Sequence, residues 1–379
     1  MKENKKKIKN IFLTFLTCVI SPILFFLISQ KNKKESSKPR ILVIPQLTRI
    51  GDLICSTPVF RAIKLFYPDS YLAVLVSNKV HGIIKNNPRI NEAIIYEEYS
   101  FWELTKKIRK SSFNWAFSLS GTSTSTLLFM WGLVKNRVKT TRTPKPITEK
   151  LTDWFNNYRL LYKDHTYLPQ HHLDLLKFIG ITEPEEKKEV FFSDTGNEKA
   201  EMFLRKNNIS EKDILVGISI SAGNKIKEWG DEKFLSLAKT IINRHSNSSI
   251  IFIGHKSDEL RINKILGEIN TNKFYKSTNF SLEDKPSLIN KLDLFIAVDT
   301  GLIYVAHSLG IPLIDIVGPV QPSFQPPEDE KSIRILPEKN IMPTIFAFKE
   351  SGDPTETKKA LESITVEEVL KAVDKLLKI

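Results

Sequence analysis

After residue 40, short apolar runs alternate along the chain with stretches whose apolar residues recur at helical spacing. The apolar runs are rich in β-branched residues, which is typical of strands buried on both faces of a parallel sheet. Strands alternating with helices in this rhythm predict an α/β fold built on doubly wound parallel sheets. The runs predicted to be strands are 41–44, 71–76, 92–96, 114–119, 214–220, 249–253, 294–298 and 312–317.

One stretch, Leu292 to Pro319, carries the strongest local signal. Its first apolar run stops at Asp299-Thr300-Gly301, a short apolar helix follows, and a second apolar run ends the stretch. A polar turn at the carboxyl end of a parallel strand faces the crevice in which α/β proteins bind ligands, and N–H groups of the next helix point at it. We expect an anionic ligand there, most simply a nucleotide diphosphate, unless Asp299 and Thr300 only cap the helix.

The amino terminus carries a second signal, because the 19 residues from Ile11 to Ser29 contain no charge. The end of this run lacks the small residues of a signal-peptide cleavage site, so residues 1–39 are predicted to be a membrane anchor and linker. Five basic residues flank the run on each side, so the positive-inside rule does not choose an orientation. Pro22 favours a re-entrant or in-plane hairpin slightly over a span.

Length and charge set the remaining organisation. A chain of 379 residues is too long for one ordinary core, and we predict two domains, 40–190 and 191–379.

The net charge of +13 is concentrated at the amino terminus. Residues 1–40 carry +8, from ten Lys or Arg against two Glu, which leaves +5 for the rest. Because the basic charge is mostly terminal and no nucleic-acid-binding motif is present, we expect no nucleic acid partner. Cys18 and Cys55 lie in different settings and indicate a reducing compartment rather than a disulfide framework.

Two loops offer candidate chemistry. The first, 45–52, contains no Gly-rich dinucleotide fingerprint, and the chain has no Walker lysine motif. This loop does offer Asp52, which can act as a general base on a hydroxyl or only cap its own helix. The second loop holds Lys225 and Lys227, which can stabilise charge on a departing diphosphate or only be solvated. The Asp-x-Asp motif of metal-dependent sugar-nucleotide enzymes is absent, so we predict a metal-independent reaction without a cofactor.

Two other segments are assigned to the surface. Thr140 to Lys150 is rich in Thr, Pro and Lys without an apolar period, which predicts a mobile loop. His171 and His172 have no Cys or carboxylate partner at metal-ligand spacing. They are predicted to lie on a helix surface or in a cleft for the acceptor.

Three segments resemble the signature motifs of glycosyltransferase family 9, the lipopolysaccharide heptosyltransferases. Residues 50–68, IGDLICSTPVFRAIKLFYP, resemble the family's amino-terminal signature. KEWGDEKF at 227–234 resembles the Lys-x-Trp motif, and DTGLIYVAHSLGIPLIDIVGP at 299–319 resembles the Asp-Thr-Gly motif of the donor site. All three occur in the family's order. The resemblance implies a GT-B architecture, in which the first of two Rossmann-like domains binds the acceptor and the second binds the nucleotide-sugar donor.

The resemblance also implies roles for single residues. Asp52 would be the base of an inverting transfer, with Arg49 and Gly51 on the acceptor side. The residues implied in donor binding are Lys225, Lys227, Asp299, Thr300, Gly301 and Tyr304. Tyr304 stands where the family usually has His, and Gly230 stands where it usually has Pro, departures that weaken ADP-heptose as the donor. The terminal helix is expected to pack back toward the first domain.

The function predicted on this basis is an inverting, metal-independent glycosyltransferase on the cytoplasmic face of the bacterial inner membrane. Its partners would be a nucleotide-sugar donor, a lipid-linked saccharide acceptor such as the lipopolysaccharide core, and membrane lipids. The transferred sugar would be heptose or another sugar carried on a nucleotide diphosphate. Two alternatives stay open at this point: a sugar-nucleotide epimerase of GT-B fold, and a non-catalytic, membrane-anchored saccharide-binding protein.

Overall fold

The computed structural model describes residues 2–30, 38–163, 165–345 and 354–377, with side chains from Ile8 onward. It consists of two compact units, Met1–Lys188 and Glu189–Ile379. The division therefore falls after residue 188, where the sequence placed it after residue 190.

The first unit contains a parallel sheet of six strands flanked by helices. The strands are β1 (Arg40–Ile44), β2 (Tyr71–Val76), β3 (Glu92–Ile95), β4 (Trp115–Ser118), β5 (Asn136–Thr141) and β6 (Tyr158–Leu161). Their order in the sheet is β3-β2-β1-β4-β5-β6. The helices among the described residues are α1 (Lys2–Ser29), α2 (Ile50–Ile54), α3 (Thr57–Phe66), α4 (Phe101–Lys110), α5 (Ser123–Trp131), α6 (Ile147–Thr152) and α7 (Leu168–Asp174).

The second unit repeats this plan. Its strands are β7 (Ile214–Ser219), β8 (Ser248–Ile253), β9 (Phe274–Ser277), β10 (Leu294–Val298), β11 (Leu313–Ile316) and β12 (Ser332–Ile335). Their order is β12-β11-β10-β7-β8-β9. The helices described in this unit are α8 (Asp194–Lys206), α9 (Asp231–Arg244), α10 (Glu259–Gly267), α11 (Lys285–Ile289), α12 (Gly301–Ser308), α13 (Pro354–Ser363) and α14 (Val366–Leu377).

Both sheets share one topology, which decides where a ligand site can form. In each unit the first strand is central, and the fourth joins it on the side opposite the second. β1 pairs in parallel with β4, and β7 with β10. Ligands of doubly wound sheets bind at the carboxyl ends of strands where the order reverses in this way. The predicted pair of doubly wound domains is confirmed, and each unit has such a switch point.

The terminal helix belongs to the core of its own unit. Val369 and Val373 of α14 share one buried cluster with Ile296 of β10 and Ile314 of β11. A capping box forms at its start, since the Thr365 backbone N–H donates to Glu368 Oε2 at 2.8 Å and the Glu368 backbone N–H donates to Thr365 Oγ1 at 3.2 Å. Its apolar face covers the second sheet. The expected packing of this helix toward the first domain stays a prediction.

The predicted loop at 140–150 is wrong at both ends. Thr140 and Thr141 end β5, and residues 147–152 form α6. Polar side chains of the segment are paired inside the unit, since Arg142 Nη2 donates to Glu149 Oε1 at 3.1 Å and Lys145 contacts Asp153. Just before the segment, the Arg137 guanidinium donates to the carbonyl of Phe155 at 2.6 Å, and the Lys139 ammonium donates to Asp153 at 2.8 Å.

The two histidines are buried rather than exposed on a helix surface. His171 and His172 lie in α7 and are only 2% and 3% exposed. His171 Nε2 lies 3.1 Å from the Thr140 hydroxyl, and His172 Nδ1 lies 3.3 Å from the carbonyl of Cys55. Burial lowers the pKa of His171 to about 4 and that of His172 to about 3. Both imidazoles are therefore neutral near pH 7 and connect the sheet to the segment that follows α2.

The apolar amino-terminal segment forms one continuous helix. α1 runs from Lys2 to Ser29 with Pro22 inside it. A hairpin at Pro22, which the sequence slightly favoured, is therefore wrong for this structure. The segment Ile8–Ser29 is long and apolar enough to cross a membrane, but 33% of its most apolar window is buried within the protein.

Replacing Asp153 tests whether its buried ion pair with Lys139 stabilises β5. Asp153→Asn removes the carboxylate that balances a buried ammonium, so we expect the free energy of unfolding to fall by about 3 kcal/mol at pH 7. Burial already lowers the pKa of Lys139, and loss of the carboxylate lowers it further. The unfolded chain then binds more protons than the folded one, so the loss in stability shrinks as pH rises toward about 10.

Urea titration across this pH range measures the effect. The matched control is Lys145→Met, since Lys145 also contacts Asp153 but is 30% exposed, and its loss should cost under about 1 kcal/mol. A D153N protein as stable as wild type at pH 7, or a loss that does not vary with pH, would contradict this role for the pair.

Candidate active site

In the second unit, the loops after β7 and β10 meet through an ion pair. Lys227 Nζ lies 2.6 Å from Asp299 Oδ2. The two side chains are 19% and 13% exposed, so the pair is largely shielded from water. β7 and β10 are the neighbouring strands at which the sheet order reverses. The pair therefore marks the switch point of this unit, and two residues predicted separately to bind the donor are brought into contact.

Helix α12 begins at Gly301, two residues after Asp299, so its amino terminus lies next to this ion pair. Thr300 holds the N-cap position in extended backbone, but its side chain makes no capping hydrogen bond, and the Asp299 carboxylate is paired with Lys227. Neither side chain is thus used to cap the helix in the described structure. The first-turn N–H groups from Gly301 onward and the positive end of the helix dipole favour an anion here.

The loop that carries Lys227 is held by its polar neighbours. Lys225–Lys227 forms a single 3-10 turn, which Asn224 caps by accepting from the Ile226 N–H. Glu228 accepts from Arg261 Nη1 at 2.7 Å on the far side of the turn. Lys225 is exposed. The turn therefore directs Lys227 toward Asp299 and leaves Lys225 at the surface, which separates two lysines that the sequence treated alike.

Trp229, in the same motif, has a packing role. Its Nε1–H donates to the carbonyl of Ile364 at 3.0 Å, and its ring meets Phe234 edge-on at 5.1 Å. Gly230 follows with φ of +108°. Proline is fixed near a φ of about −65° and cannot adopt this conformation. The glycine is therefore required by the local backbone, and it occupies the N-cap position of α9, directly before Asp231.

A second carboxyl group lies near the ion pair. Asp315 on β11 is fully buried, and its side-chain oxygens have no hydrogen-bond partner among the described residues. Burial, and next the negative charge of Asp299, raise the pKa of Asp315 well above its usual value. A neutral Asp315 leaves Asp299 as the carboxylate that balances Lys227.

Tyr304 is placed differently from the other candidates for donor binding. It is 8% exposed, and its hydroxyl donates to the carbonyl of Phe324 at 2.7 Å. This bond connects α12 to the segment after β11. This structural contact between the two elements accounts for a tyrosine here, and a role of Tyr304 in donor binding stays a prediction.

In the first unit, Asp52 lies at the carboxyl end of β1, the central strand. It is the third residue of α2, whose N-cap is Arg49, so it does not occupy the capping position itself. Arg49 Nη1 lies 3.6 Å from Asp52 Oδ2, and the Asp52 side chain is 25% exposed. Gly51 precedes it in the same helix. The candidate base and the two candidates for the acceptor side thus lie on one short, partly exposed turn.

The turn after β4 belongs to the same switch point, and the sequence had assigned it no role. Gly121 has φ of +68°, and a Cβ there would lie 2.4 Å from the Thr140 carbonyl oxygen. Thr122 then caps α5 by accepting from the Ser125 N–H. The run of small polar residues after β4 was the signal available in the sequence. It identifies a tight turn beside the β1 loop, because β1 and β4 are neighbours.

Within the described ranges, no three His, Cys, Asp or Glu side chains lie together in a way that would hold a metal ion. The positive groups at the second switch point are instead Lys227 and the start of α12. Metal independence stays a prediction, since this arrangement does not test it.

Two Rossmann-like units in tandem, each with polar side chains at its switch point, form the GT-B class of glycosyltransferase fold. A solved family 9 glycosyltransferase from Veillonella parvula aligns with 92% of this chain and all of its own, at a TM-score of 0.76 and 21% identity. The solved ADP-heptose lipopolysaccharide heptosyltransferase II of Escherichia coli aligns with 89% of this chain and 99% of its own, at a TM-score of 0.71 and 20% identity. Both likenesses establish the fold.

The family follows from the sequence. A profile of glycosyltransferase family 9 (heptosyltransferase) matches residues 101–348, so the chain belongs to this family and is an enzyme. Among curated relatives, lipopolysaccharide heptosyltransferase 1 of Campylobacter coli is 28% identical over 307 residues, which cover 75% of this chain and 85% of the relative. The matched segment contains Lys227 and Asp299 but not Asp52. The roles of all these residues stay predictions.

Replacing Lys227 tests the second switch point. We expect Lys227→Ala to weaken the affinity for a nucleoside diphosphate about tenfold or more, because a charge-assisted hydrogen bond is lost and Asp299 is left to repel the phosphates. Calorimetry with the diphosphate of adenosine, guanosine, uridine or cytidine that wild type binds most tightly measures the change. The double variant K227A/D299N should recover part of the loss by removing the repulsion.

The control is Lys225→Ala, since Lys225 is exposed on the same turn, and its loss should change the affinity less than about threefold. Equal affinities of K227A and wild type, or a larger effect from K225A than from K227A, would remove Lys227 from the donor site.

Proposed function

We propose that the protein transfers a heptose, or a closely related sugar, from a nucleotide diphosphate to a saccharide of the lipopolysaccharide core or another lipid-linked saccharide, with inversion at the anomeric carbon. Membership of family 9 supports the reaction class. The named activity of the relatives, lipopolysaccharide heptosyltransferase, supports the sugar and the acceptor. ADP-heptose, which the E. coli structure names, is the first donor to test.

The proposal rests mainly on the Lys227–Asp299 ion pair, which lies beside the amino terminus of α12, where no described side chain caps the helix. A donor diphosphate placed at this helix terminus would accept hydrogen bonds from the first-turn N–H groups. Lys227, held by Asp299 at the rim, would contact a phosphate oxygen. As the sugar–oxygen bond breaks, negative charge grows on the diphosphate, and these fixed positive groups stabilise it. In the proposed reaction they replace the metal ion that other sugar-nucleotide enzymes use.

Asp52 is the proposed general base. Its carboxylate would take the proton of the acceptor hydroxyl, so that the oxygen can attack the anomeric carbon from the side opposite the departing diphosphate. A single attack of this kind inverts the anomeric configuration. The ion pair with Arg49 would hold the carboxylate in position, and 25% exposure leaves the side chain accessible to a substrate hydroxyl. Gly51 and the Gly121 turn would line the same edge of the first sheet.

The acceptor and the location are also proposals. A lipid-linked acceptor confines the enzyme to a membrane surface, and the names of the relatives support lipopolysaccharide assembly. We assign the protein to the cytoplasmic face of the inner membrane, where the nucleotide-sugar donor is found.

The decisive variant for this mechanism is Asp52→Asn, which keeps the size of the side chain but removes the base. We expect transfer from ADP-heptose to a heptose-deficient lipopolysaccharide acceptor to fall at least about a hundredfold, the lower bound for loss of a general base. Affinity for the nucleoside diphosphate, measured by calorimetry, should stay within about twofold, because Asp52 lies outside the donor-binding unit.

Asp69→Asn serves as the control, because Asp69 is a 67% exposed aspartate of the same unit that forms a surface ion pair with Lys38 at 3.0 Å. It should leave the transfer rate unchanged. Wild-type turnover in D52N would remove Asp52 from the chemistry. Consumption of the donor by wild type without any acceptor, giving an isomerised sugar nucleotide, would contradict transfer altogether.

A further inference from the structure

The side of helix α1 that faces the rest of the first unit carries its buried polar residues as well as the apolar side chains of Leu13, Leu24 and Ile28. Asn10 Nδ2 donates to the Ser123 hydroxyl at 2.9 Å, and Trp131 Nε1 donates to the Thr17 hydroxyl at 2.9 Å. Ser21, on the same side, is 3% exposed. A helix on the surface of a soluble domain normally keeps its polar residues on the outward side. In α1 the outward side is instead apolar.

The contact between α1 and the first unit extends along most of the helix. It begins at Asn10 and continues to Ile28, which shares a buried cluster with Met130 and Phe155. The 19 residues from Asn10 to Ile28 span about 28 Å of α-helix, close to the roughly 30 Å thickness of the hydrocarbon core of a bilayer. A helix docked over this length cannot cross the bilayer unless the flank of the globular unit also enters it. The docked state is compatible with a position along the membrane plane.

The outward side of α1 exposes a continuous apolar surface. Six of its large side chains are 49–68% exposed: Ile11, Phe12, Phe15, Val19, Ile23 and Phe26. The surface continues on the neighbouring α6 segment, where Ile147, Leu151 and Trp154 are 64%, 46% and 51% exposed. Phe25 connects α1 to the α6 segment, because its ring centroid lies 5.7 Å from that of Trp154. Soluble proteins rarely expose so large an apolar surface without a partner.

The charge of the flanking sequence identifies the partner. Five lysines precede residue 11, and five basic residues lie between positions 31 and 40. Basic residues on both sides of an exposed apolar helix complement the anionic headgroups of phosphatidylglycerol-type lipids. Tryptophan, here Trp154 at the edge of the surface, is typical of the zone between headgroups and acyl chains.

We propose that the outward residues of α1 together with Ile147, Leu151 and Trp154, termed the anchor face, insert into one leaflet of an anionic bilayer while α1 stays docked on the first unit. The protein is then a monotopic membrane protein. α1 lies in the membrane plane and neither spans the bilayer nor folds back as a hairpin. This inference does not depend on the transferred sugar, and its tests use no nucleotide sugar.

Binding to vesicles tests the lipid partner. Full-length protein should co-sediment with vesicles of phosphatidylethanolamine and phosphatidylglycerol, and bind pure phosphatidylcholine at least about fivefold more weakly. The variant Phe15→Glu/Val19→Glu should bind the anionic vesicles at least about tenfold more weakly than wild type. Its thermal unfolding should be unchanged, since both side chains are more than 60% exposed.

The matched control is Met202→Glu/Leu260→Glu, which places two charges on exposed apolar side chains of the second unit. It should bind vesicles as wild type does. Equal vesicle binding by F15E/V19E and wild type would overturn the proposal, as would equal binding to neutral and anionic lipid. A change from dimer to monomer in F15E/V19E, without a change in vesicle binding, would show that this face binds a second copy of the chain instead.

Cysteine labelling separates the in-plane position from a span. In a Cys18→Ala background, Lys9→Cys and Lys38→Cys place single thiols before and after the apolar segment, while Cys55 is buried. A membrane-impermeant maleimide should label both positions from the same side, in either spheroplasts or inside-out vesicles of an expressing bacterium. Labelling of one position from each side would establish a span and overturn the proposal.

Discussion

The structure depends on one shielded ion pair, that of Lys227 and Asp299 at the switch point of the second sheet. Two opposite charges that are less than a fifth exposed must be paired, because an unpaired charge in such a place costs several kcal/mol. The pair becomes possible because the sheet order brings the loops after β7 and β10 side by side. Because Asp299 is paired with Lys227, it does not cap α12, and the ammonium of Lys227 stays beside the amino terminus of that helix. The proposed binding of the donor diphosphate follows from this arrangement.

The Lys-x-Trp motif shows how the cation is kept in place. Lys227 faces the site, while Trp229, two residues later, is buried and bound to the Ile364 carbonyl between α13 and α14. Gly230 gives the chain the positive φ that it needs to enter α9. One short motif thus connects the site to the core of its unit, which fixes the lysine more firmly than a mobile loop would. In the first unit, Arg49 and Asp52 lie on one turn at the start of α2, with Arg49 Nη1 3.6 Å from Asp52 Oδ2.

Much of the fold could be predicted from the sequence, and the failures have physical causes. The β10 strand and its turn were predicted because every residue from Leu294 to Val298 is apolar and buried. β5 was missed because Arg137 and Lys139 are buried there through partners, Phe155 and Asp153, that are distant in sequence. Lys225 and Lys227 looked alike because the contact with Asp299 joins residues 72 positions apart. The apolar run of α1 was evident, but its docking side depends on Ser123 and Trp131, which no local pattern reveals.

A nucleoside diphosphate is proposed to bind where Lys227 meets the start of α12. Hydrogen–deuterium exchange of the wild-type chain, with and without ADP, measures where it binds. We expect slower exchange at the amides of the Lys225–Lys227 turn and of the first turn of α12 from Gly301, with little change at Arg49 to Asp52. Protection that leaves both second-unit segments unchanged while ADP is bound elsewhere would contradict it.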